Sequence, residues 1–235
     1  ALVYSSTAAV YADPPEARPL RESDALGPIS PYGASKAAAE RLIADFARAQ
    51  AAQGRPFAHA VLRYFNVAGA DRAGLLGEHH EPETHLVPLL LRAAQGSGGP
   101  ITVFGDDYPS PPTPDGTPVR DYVHVDDLAE AHLRVLDALK PGDARTYNVG
   151  GGQGHSVKQV LASVERVLGK PVPTHLGPRR EGDSAYLVAD PSRLRNDLGW
   201  APPASNLDEI VHTAWSWMQA HPRGYSKVKS RAKAF

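Results

Sequence analysis

Ser30-Pro31-Tyr32-Gly33-Ala34-Ser35-Lys36 is the stretch that decides how this chain is read. Ser30 is a capping residue and Pro31 a first-turn proline, so a helix starts here. Ala38, Leu42, Ile43, Phe46 and Ala47 then recur at helical spacing until Gly54. On that helix Tyr32 and Lys36 stand at i and i+4, on one face with Cβ atoms ~5–6 Å apart, so the ammonium can approach the phenol. A cation beside a phenol favours the phenolate, the form a general base needs near neutral pH. Alone, a Y-x-x-x-K pair is more often a core tyrosine followed by a solvated lysine. Its context reverses that reading. Upstream, the apolar run Leu2-Val3-Tyr4 ends in Ser5-Ser6-Thr7, and sites in open parallel sheets lie at the carboxyl ends of strands. A hydroxyl at that strand end and the Tyr32 phenol can serve one substrate oxygen.

Three further helices are expected. One starts at Asp126, carries Leu128, Ala131, Val135, Leu136 and Leu139, and ends at Pro141-Gly142. Another opens on the capping box Ser156 to Gln159 and presents Val157, Val160, Leu161, Val164 and Leu168 before Gly169. The last, Leu207 to His221, places Ile210, Val211, Ala214, Trp215 and Met218 on one face. Strand-like runs lie at Ala60–Phe65, Ile101–Phe104, Thr146–Val149 and Leu187–Ala189. Strands alternating with helices define an α/β chain with a doubly wound, largely parallel sheet. From about Gly69 to Pro118 the pattern breaks into loops rich in Gly, Pro and acidic residues, an insertion expected to form a second, smaller lobe.

Composition narrows the function classes. The 235 residues are 42% hydrophobic and 22% charged, with 25 basic against 26 acidic side chains. That balance offers nucleic acid or anionic lipid no chain-wide attraction, so neither is expected as a partner. Without cysteine there is no disulfide framework, thiolate metal site or cysteine nucleophile, and a cytoplasmic location fits. The longest aliphatic stretch, Leu86 to Leu91, contains Pro88 and falls far short of the ~20 residues a membrane span needs. The chain opens directly on its apolar strand and has its only methionine at Met218. It therefore reads as the C-terminal part of a longer protein.

Five blocks occur in order: Ser5-Ser6-Thr7-Ala8-Ala9-Val10-Tyr11, Ser30 to Lys36, Arg63-Tyr64-Phe65-Asn66, Arg120-Asp121-Tyr122-Val123-His124-Val125, and Arg179-Arg180-Glu181-Gly182-Asp183. Together they resemble the extended short-chain dehydrogenase/reductases, specifically the UDP-glucose 4-epimerases. The resemblance implies a partial Rossmann-type sheet. Residues 1–68 would be the C-terminal part of the NAD-binding domain, 69–118 a substrate-binding lobe, and 119–154 a return to the Rossmann domain. Residues 155–226 would form the substrate lobe and closing helices, and 227–235 a basic tail. The family's Gly-rich NAD-binding segment would precede Ala1, so this chain alone is expected to be inactive.

The resemblance further implies that Tyr32 removes the sugar C4 proton, aided by Thr7, while Lys36 holds the nicotinamide ribose of NAD. Tyr32 and Phe65 would join Lys36 in contacting the cofactor. Arg120 and Arg180 would hold the pyrophosphate of a UDP-sugar, which suits their forked, delocalised donors. Asp183 would hold the ribose hydroxyls, and Phe104 would line the uracil pocket. Asn66, Thr7, Tyr122, Leu86 and His85 would touch substrate, although the family commonly has Asn where His85 stands. Tyr186 or Leu187 lies near the family's sugar-size gate. A homodimer through the Tyr32 helix is also implied.

Positions next to Thr7 choose the reaction. A 4,6-dehydratase of this family carries Asp-Glu there, to eliminate water; this chain has Ala8 and Ala9. An epimerase needs neither acid. The reading is an NAD-dependent 4-epimerase of UDP-glucose and UDP-galactose, with another UDP-sugar or a non-catalytic nucleotide-sugar binder as alternatives. Gly150-Gly151-Gly152-Gln153-Gly154 fails G-x-G-x-x-G because His155 takes the last position, so a tightly packed turn is expected. His79, His80, Glu81, Glu83 and His85 lack the one-turn histidine spacing of a zincin, and no metal site is expected.

Overall fold

The computed structural model describes residues 1–13, 16–203 and 205–225; the expected basic tail lies outside them. In chain order the elements are β1 (Leu2–Thr7), a 3-10 turn (Ala8–Val10), α1 (Pro31–Ala52), β2 (His59–Tyr64), β3 (Asn66–Ala68), α2 (Leu86–Gln95), β4 (Ile101–Phe104) and β5 (Val119–His124). There follow α3 (Val125–Ala138), β6 (Ala144–Val149), β7 (Gly154–Ser156), α4 (Val157–Leu168), β8 (Thr174–Gly177), β9 (Tyr186–Leu187), α5 (Ser192–Leu198) and α6 (Leu207–Ala220).

Three parallel strands in the order β1-β2-β6 form the first sheet. Every residue of β2 but the last is buried, as expected of a parallel strand covered on both faces. Alternation explains how. Ala60 and Leu62 join Leu128, Ala131 and Val135 of α3 in one core, sealed by Tyr147, Leu194 and Trp200. Arg63, on the opposite face, reaches Glu40 of α1. A second, mixed sheet centres on β5, which pairs parallel with β3 and β9 and antiparallel with β7. Its core packs Tyr122 against α2, α4 and α6. A two-stranded parallel sheet, β4 with β8, stands beside it.

Helix boundaries follow their caps. The Ser30 hydroxyl accepts from Gly33 N at 3.1 Å, with proline opening α1. The reciprocal Ser156–Gln159 capping box is present, and Gly169 ends α4 in the left-handed conformation. α3 begins one residue before Asp126 because the His124 imidazole is its cap, accepting from Asp126 N.

One expectation is corrected. The 69–118 segment is not all loop: α2 forms there, because Pro88 is its third residue, where no intrahelical N–H partner is needed. On α1, Leu42 and Phe46 of the apolar stripe are exposed, and the residues buried are Gly33 and Glu40. Gly33 is required by close approach. A Cβ there would stand 2.2 Å from the Ala9 carbonyl oxygen, so glycine lets α1 press against the turn that follows β1.

Candidate active site

β1 ends in three hydroxyls with different employment. Ser5 Oγ meets His132 Nε2 at 2.9 Å, while His132 Nδ1 donates to the Leu128 carbonyl, so Ser5 is the donor. Ser6 donates to Glu40 inside the core. Thr7 caps the 3-10 turn by accepting from Ala9 N at 3.2 Å. Of these three residues, Thr7 alone lines the cleft.

That cleft has a volume of about 1060 Å³ and is walled by the ends of β1, β2 and β3 and the 69–85 loop. Tyr32, Thr7, Phe65, Asn66, His85 and Leu187 all line it, gathering residues that sequence places far apart. Tyr32 is 53% exposed at its edge. Lys36 lies one turn along, its Nζ 5.9 Å from the centre of the Tyr32 ring and 5.2 Å from that of Tyr4. The ammonium donates to the Ser5 carbonyl at 3.0 Å. Lys36 thus ties α1 to β1 and brings its charge to the tyrosine face without a direct bond to the phenol oxygen.

A second cluster stands at the β5 end. Arg120 is paired across β5–β9 with Leu187 of the cleft wall. Its guanidinium donates to Asp183 and to the Val119 carbonyl. Arg180 lies over the Phe104 ring at 3.9 Å, and Arg179 over Tyr108 at 4.3 Å while pairing with Asp107. Arg120 and Asp183 therefore satisfy one another, and Arg180 covers the ring face expected to receive a base. None of Arg120, Arg180, Asp183, Phe104, Tyr122 and Leu86 lines the large cleft. Tyr122 is turned inward: it is 5% exposed among α2, α4 and α6, where burial pushes its phenol up to about 12. Leu86, first residue of α2, packs against the same core. A direct substrate contact by the Tyr122 side chain conflicts with this packing.

One wall feature had no sequence signal. Tyr225 Oη bonds both the N–H and the carbonyl of Gly77, and its backbone N–H donates to His79 Nδ1. Residues 146 or more positions apart thereby close the loop end of the cleft.

The fit to a dinucleotide is partial. Tyr32 and Phe65 line the cleft and Lys36 stands one turn beyond Tyr32, where these residues would hold a nicotinamide and its ribose. A pyrophosphate cradle is a different matter, because the Gly151 and Gly152 amides already have an anion. Asp121 accepts from Gly151 N at 2.6 Å, Gly152 N at 2.9 Å and Ala189 N at 3.0 Å. A Cβ on Gly150 would meet that carboxylate at 2.6 Å. The glycine run is the packed turn its sequence implies.

Burial pushes the Asp121 carboxyl up from 3.8 to about 6, against the three amides that favour its charge. The folded chain thus holds this proton more tightly than the unfolded one. The resulting stability is fully present below the unfolded value and lost as pH rises through 6, a difference of about 3 kcal/mol. Urea unfolding from pH 4 to 7 should show that loss in the native chain and not in Asp121→Asn. Parallel pH curves for the two would contradict the assignment.

Parallel strands, helices on both faces and a tyrosine–lysine pair at a strand-end cleft define a Rossmann-type α/β protein of the nucleotide-cofactor class. The family described as "NAD dependent epimerase/dehydratase family" matches residues 1–150, and the chain belongs to that family. It is 44% identical over 225 residues to the UDP-glucose 4-epimerase of Lacticaseibacillus casei, covering 95% of this chain and 65% of that protein. Among solved structures it resembles UDP-glucose 4-epimerase from Bifidobacterium longum in complex with NAD+ and UDP. The TM-score is 0.86 at 37% identity, over 95% of this chain and 64% of that one. The UDP-Glc/GlcNAc 4-epimerase from Campylobacter jejuni gives 0.74 at 39% identity, over 93% and 64%. The chain thus spans about two-thirds of the length of these relatives, just under it in each case. Among the described residues no helix is long and apolar enough to cross a membrane.

Proposed function

We propose that this chain forms the catalytic and sugar-binding part of a 4-epimerase interconverting UDP-glucose and UDP-galactose. The observation that carries the reading is that Thr7, Ala8, Ala9 and Tyr32 line one cleft, with alanines rather than acids at the two positions after Thr7. Such a cleft can take a proton from a sugar hydroxyl and has no acid next to Thr7 with which to expel water.

When bound, NAD supplies a reversible acceptor for the hydride at the sugar carbon. Tyr32 takes the C4 hydroxyl proton and returns it, and Thr7 donates a hydrogen bond to the same oxygen. Lys36 places a fixed positive charge on the tyrosine face. Arg120 and Arg180 neutralise the diphosphate, which requires Asp183 to exchange Arg120 for the ligand. Asn66 and His85 bind sugar oxygens, and the cleft of about 1060 Å³ leaves room for the sugar to present either face. Leu187 on the cleft wall, near the sugar-size gate implied by the resemblance, and the likeness to a UDP-Glc/GlcNAc 4-epimerase favour a second reading that includes UDP-N-acetylhexosamines.

The test is conversion of UDP-galactose and UDP-N-acetylgalactosamine, each with NAD, by this chain and by a form extended upstream. UDP-galactose turnover is expected in the extended form, with tightly bound NAD detected by native mass spectrometry. The described residues hold no pyrophosphate cradle, so the chain by itself should bind NAD weakly and turn over little. An extended, NAD-loaded protein inert toward UDP-galactose would refute the proposal, and preference for the N-acetylated sugar would select the second reading.

A further inference from the structure

Between β3 and α2 the chain carries Glu78, His80, Glu83 and His85, two imidazoles and two carboxylates. The fold brings one donor atom of each within 4.8 Å of all the others. His80 Nδ1 stands 3.1 Å from Glu78 Oε1 and 3.7 Å from Glu83 Oε1. His85 Nδ1 contacts the same Glu78 oxygen and lies 3.7 Å from the same Glu83 oxygen. Two Nδ1 atoms and two Oε1 atoms therefore converge. Zinc-class ions bind imidazole nitrogen and carboxylate oxygen at about 2.0–2.2 Å in a tetrahedron, whose ligand-to-ligand edges are then about 3.3–3.6 Å. The observed spacings bracket that range.

A second observation comes from Glu83 itself. Its side chain is 1% exposed. Oε1 accepts from the backbone N–H of Thr84 and of His85, whereas the buried Oε2 has no hydrogen-bond partner and faces Arg92 only at 3.9 Å. Burying a carboxylate this way is unfavourable unless a charge compensates it. One divalent cation bound by two imidazole nitrogens and two carboxylates supplies compensating charge to the buried Glu83 carboxylate, through the Oε1 that faces both histidines. The sequence reading missed the cluster because it required two histidines on one helical turn; here a loop does the gathering, and it adds Glu78, which that reading overlooked.

We propose that Glu78, His80, Glu83 and His85 form a binding site for one divalent transition-metal ion of the zinc class in the wall of the cleft. His80 and His85 are about half exposed, which leaves a route in from solvent. Glu78, His80 and His85 line the cleft, so the ion fixes the wall that Tyr225 closes from the other side. The site shares His85 and the cleft wall with the sugar-binding reading above, and its test does not read activity.

The chain, prepared without an affinity tag and stripped with chelator, is titrated with Zn²⁺ against a chromogenic chelator. Co²⁺ is added separately as a spectroscopic probe. One equivalent of Zn²⁺ is expected, with a rise in melting temperature and Co²⁺ absorption of a tetrahedral nitrogen/oxygen site. His80→Ala changes a half-exposed side chain and should leave the metal-free melting point unchanged. It should weaken Zn²⁺ binding at least about 100-fold, the upper end of the effect of losing an outer-shell partner. Glu83→Gln should do the same, and His175→Ala, remote in the β4–β8 sheet, should not. Failure of the native chain to bind one equivalent, or equal affinity in His80→Ala, overturns the proposal.

Discussion

Tyr32→Phe lowers the turnover of UDP-galactose by about 10²–10⁴-fold, the range that general acid–base groups contribute, with little change in KM. The substitution removes one oxygen from a ring that is 53% exposed, so it should leave folding within about 0.5 kcal/mol of the native chain. Two neighbouring tyrosines also line the cleft, and their surroundings differ. Tyr225 is held on the Gly77 backbone through its hydroxyl. Tyr64 packs beside the His132 ring at 6.4 Å, on the side where Ser5 is engaged. Tyr64→Phe is therefore expected to retain activity within a few-fold. A fall in kcat with KM preserved marks an interaction made in the transition state, and that split distinguishes a lost base from a disturbed binding wall. The measurement is steady-state conversion by the NAD-loaded, upstream-extended protein. Turnover by Tyr32→Phe within threefold of the native rate would remove Tyr32 from its proposed role.

What sequence could and could not show about this molecule divides along the distance over which the deciding interactions act. α1 and α4 were legible because Ser30-Pro31 and the Ser156–Gln159 box are local caps, and Gly54 and Gly169 local stops. α2 was hidden by Pro88, which looks like a breaker until its place in the first turn is known. β5 was hidden by Arg120 and Asp121, polar residues inside a strand. Asp121 is fully buried there only because amides about 30 and 68 residues away receive it. The α1 stripe had a visible period, but period alone cannot say what covers a face, and Leu42 and Phe46 are exposed. In the candidate site, Thr7, Tyr32, Phe65 and Asn66 were named from motif blocks and His85 from the wider resemblance, and all five line one cleft. The orientation of Tyr122 followed from core packing that no block encodes. The pairing of Arg120 with Asp183, 63 residues apart, and the closure by Tyr225 were equally invisible.

Glu40→Ala should destabilise the chain by about 3–5 kcal/mol, the usual consequence of breaking a buried ion pair from one side. Glu40 and Arg63 have side chains 9% and 7% exposed. Arg63 Nη2 donates to Glu40 Oε2 at 2.6 Å and its Nε to both carboxylate oxygens, while Ser6 donates to Oε1. On its other side Arg63 Nη1 donates to Tyr11 Oη at 3.1 Å. Burial pushes the Tyr11 phenol up to about 12, so it keeps its proton and donates it to Asn148 Oδ1 at 2.7 Å. Removing Glu40 leaves a guanidinium buried with neutral partners, whereas replacing both partners removes charge and vacancy together. The double variant Glu40→Leu with Arg63→Met should therefore recover much of the lost stability. At about 2–4 °C per kcal/mol for a chain of this size, Glu40→Ala should melt roughly 6–20 °C lower. The network also bears on chemistry: Ser6 precedes Thr7, Arg63 lies two residues before Phe65, and Glu40 is one helical turn beyond Lys36. It fixes the ends of β1 and β2 against the helix that carries Tyr32, so the double variant should fold yet position Thr7 and Lys36 less well. Urea unfolding of the single and double variants decides the matter, and a loss below 1 kcal/mol in Glu40→Ala would show that the pair does not hold these three elements together.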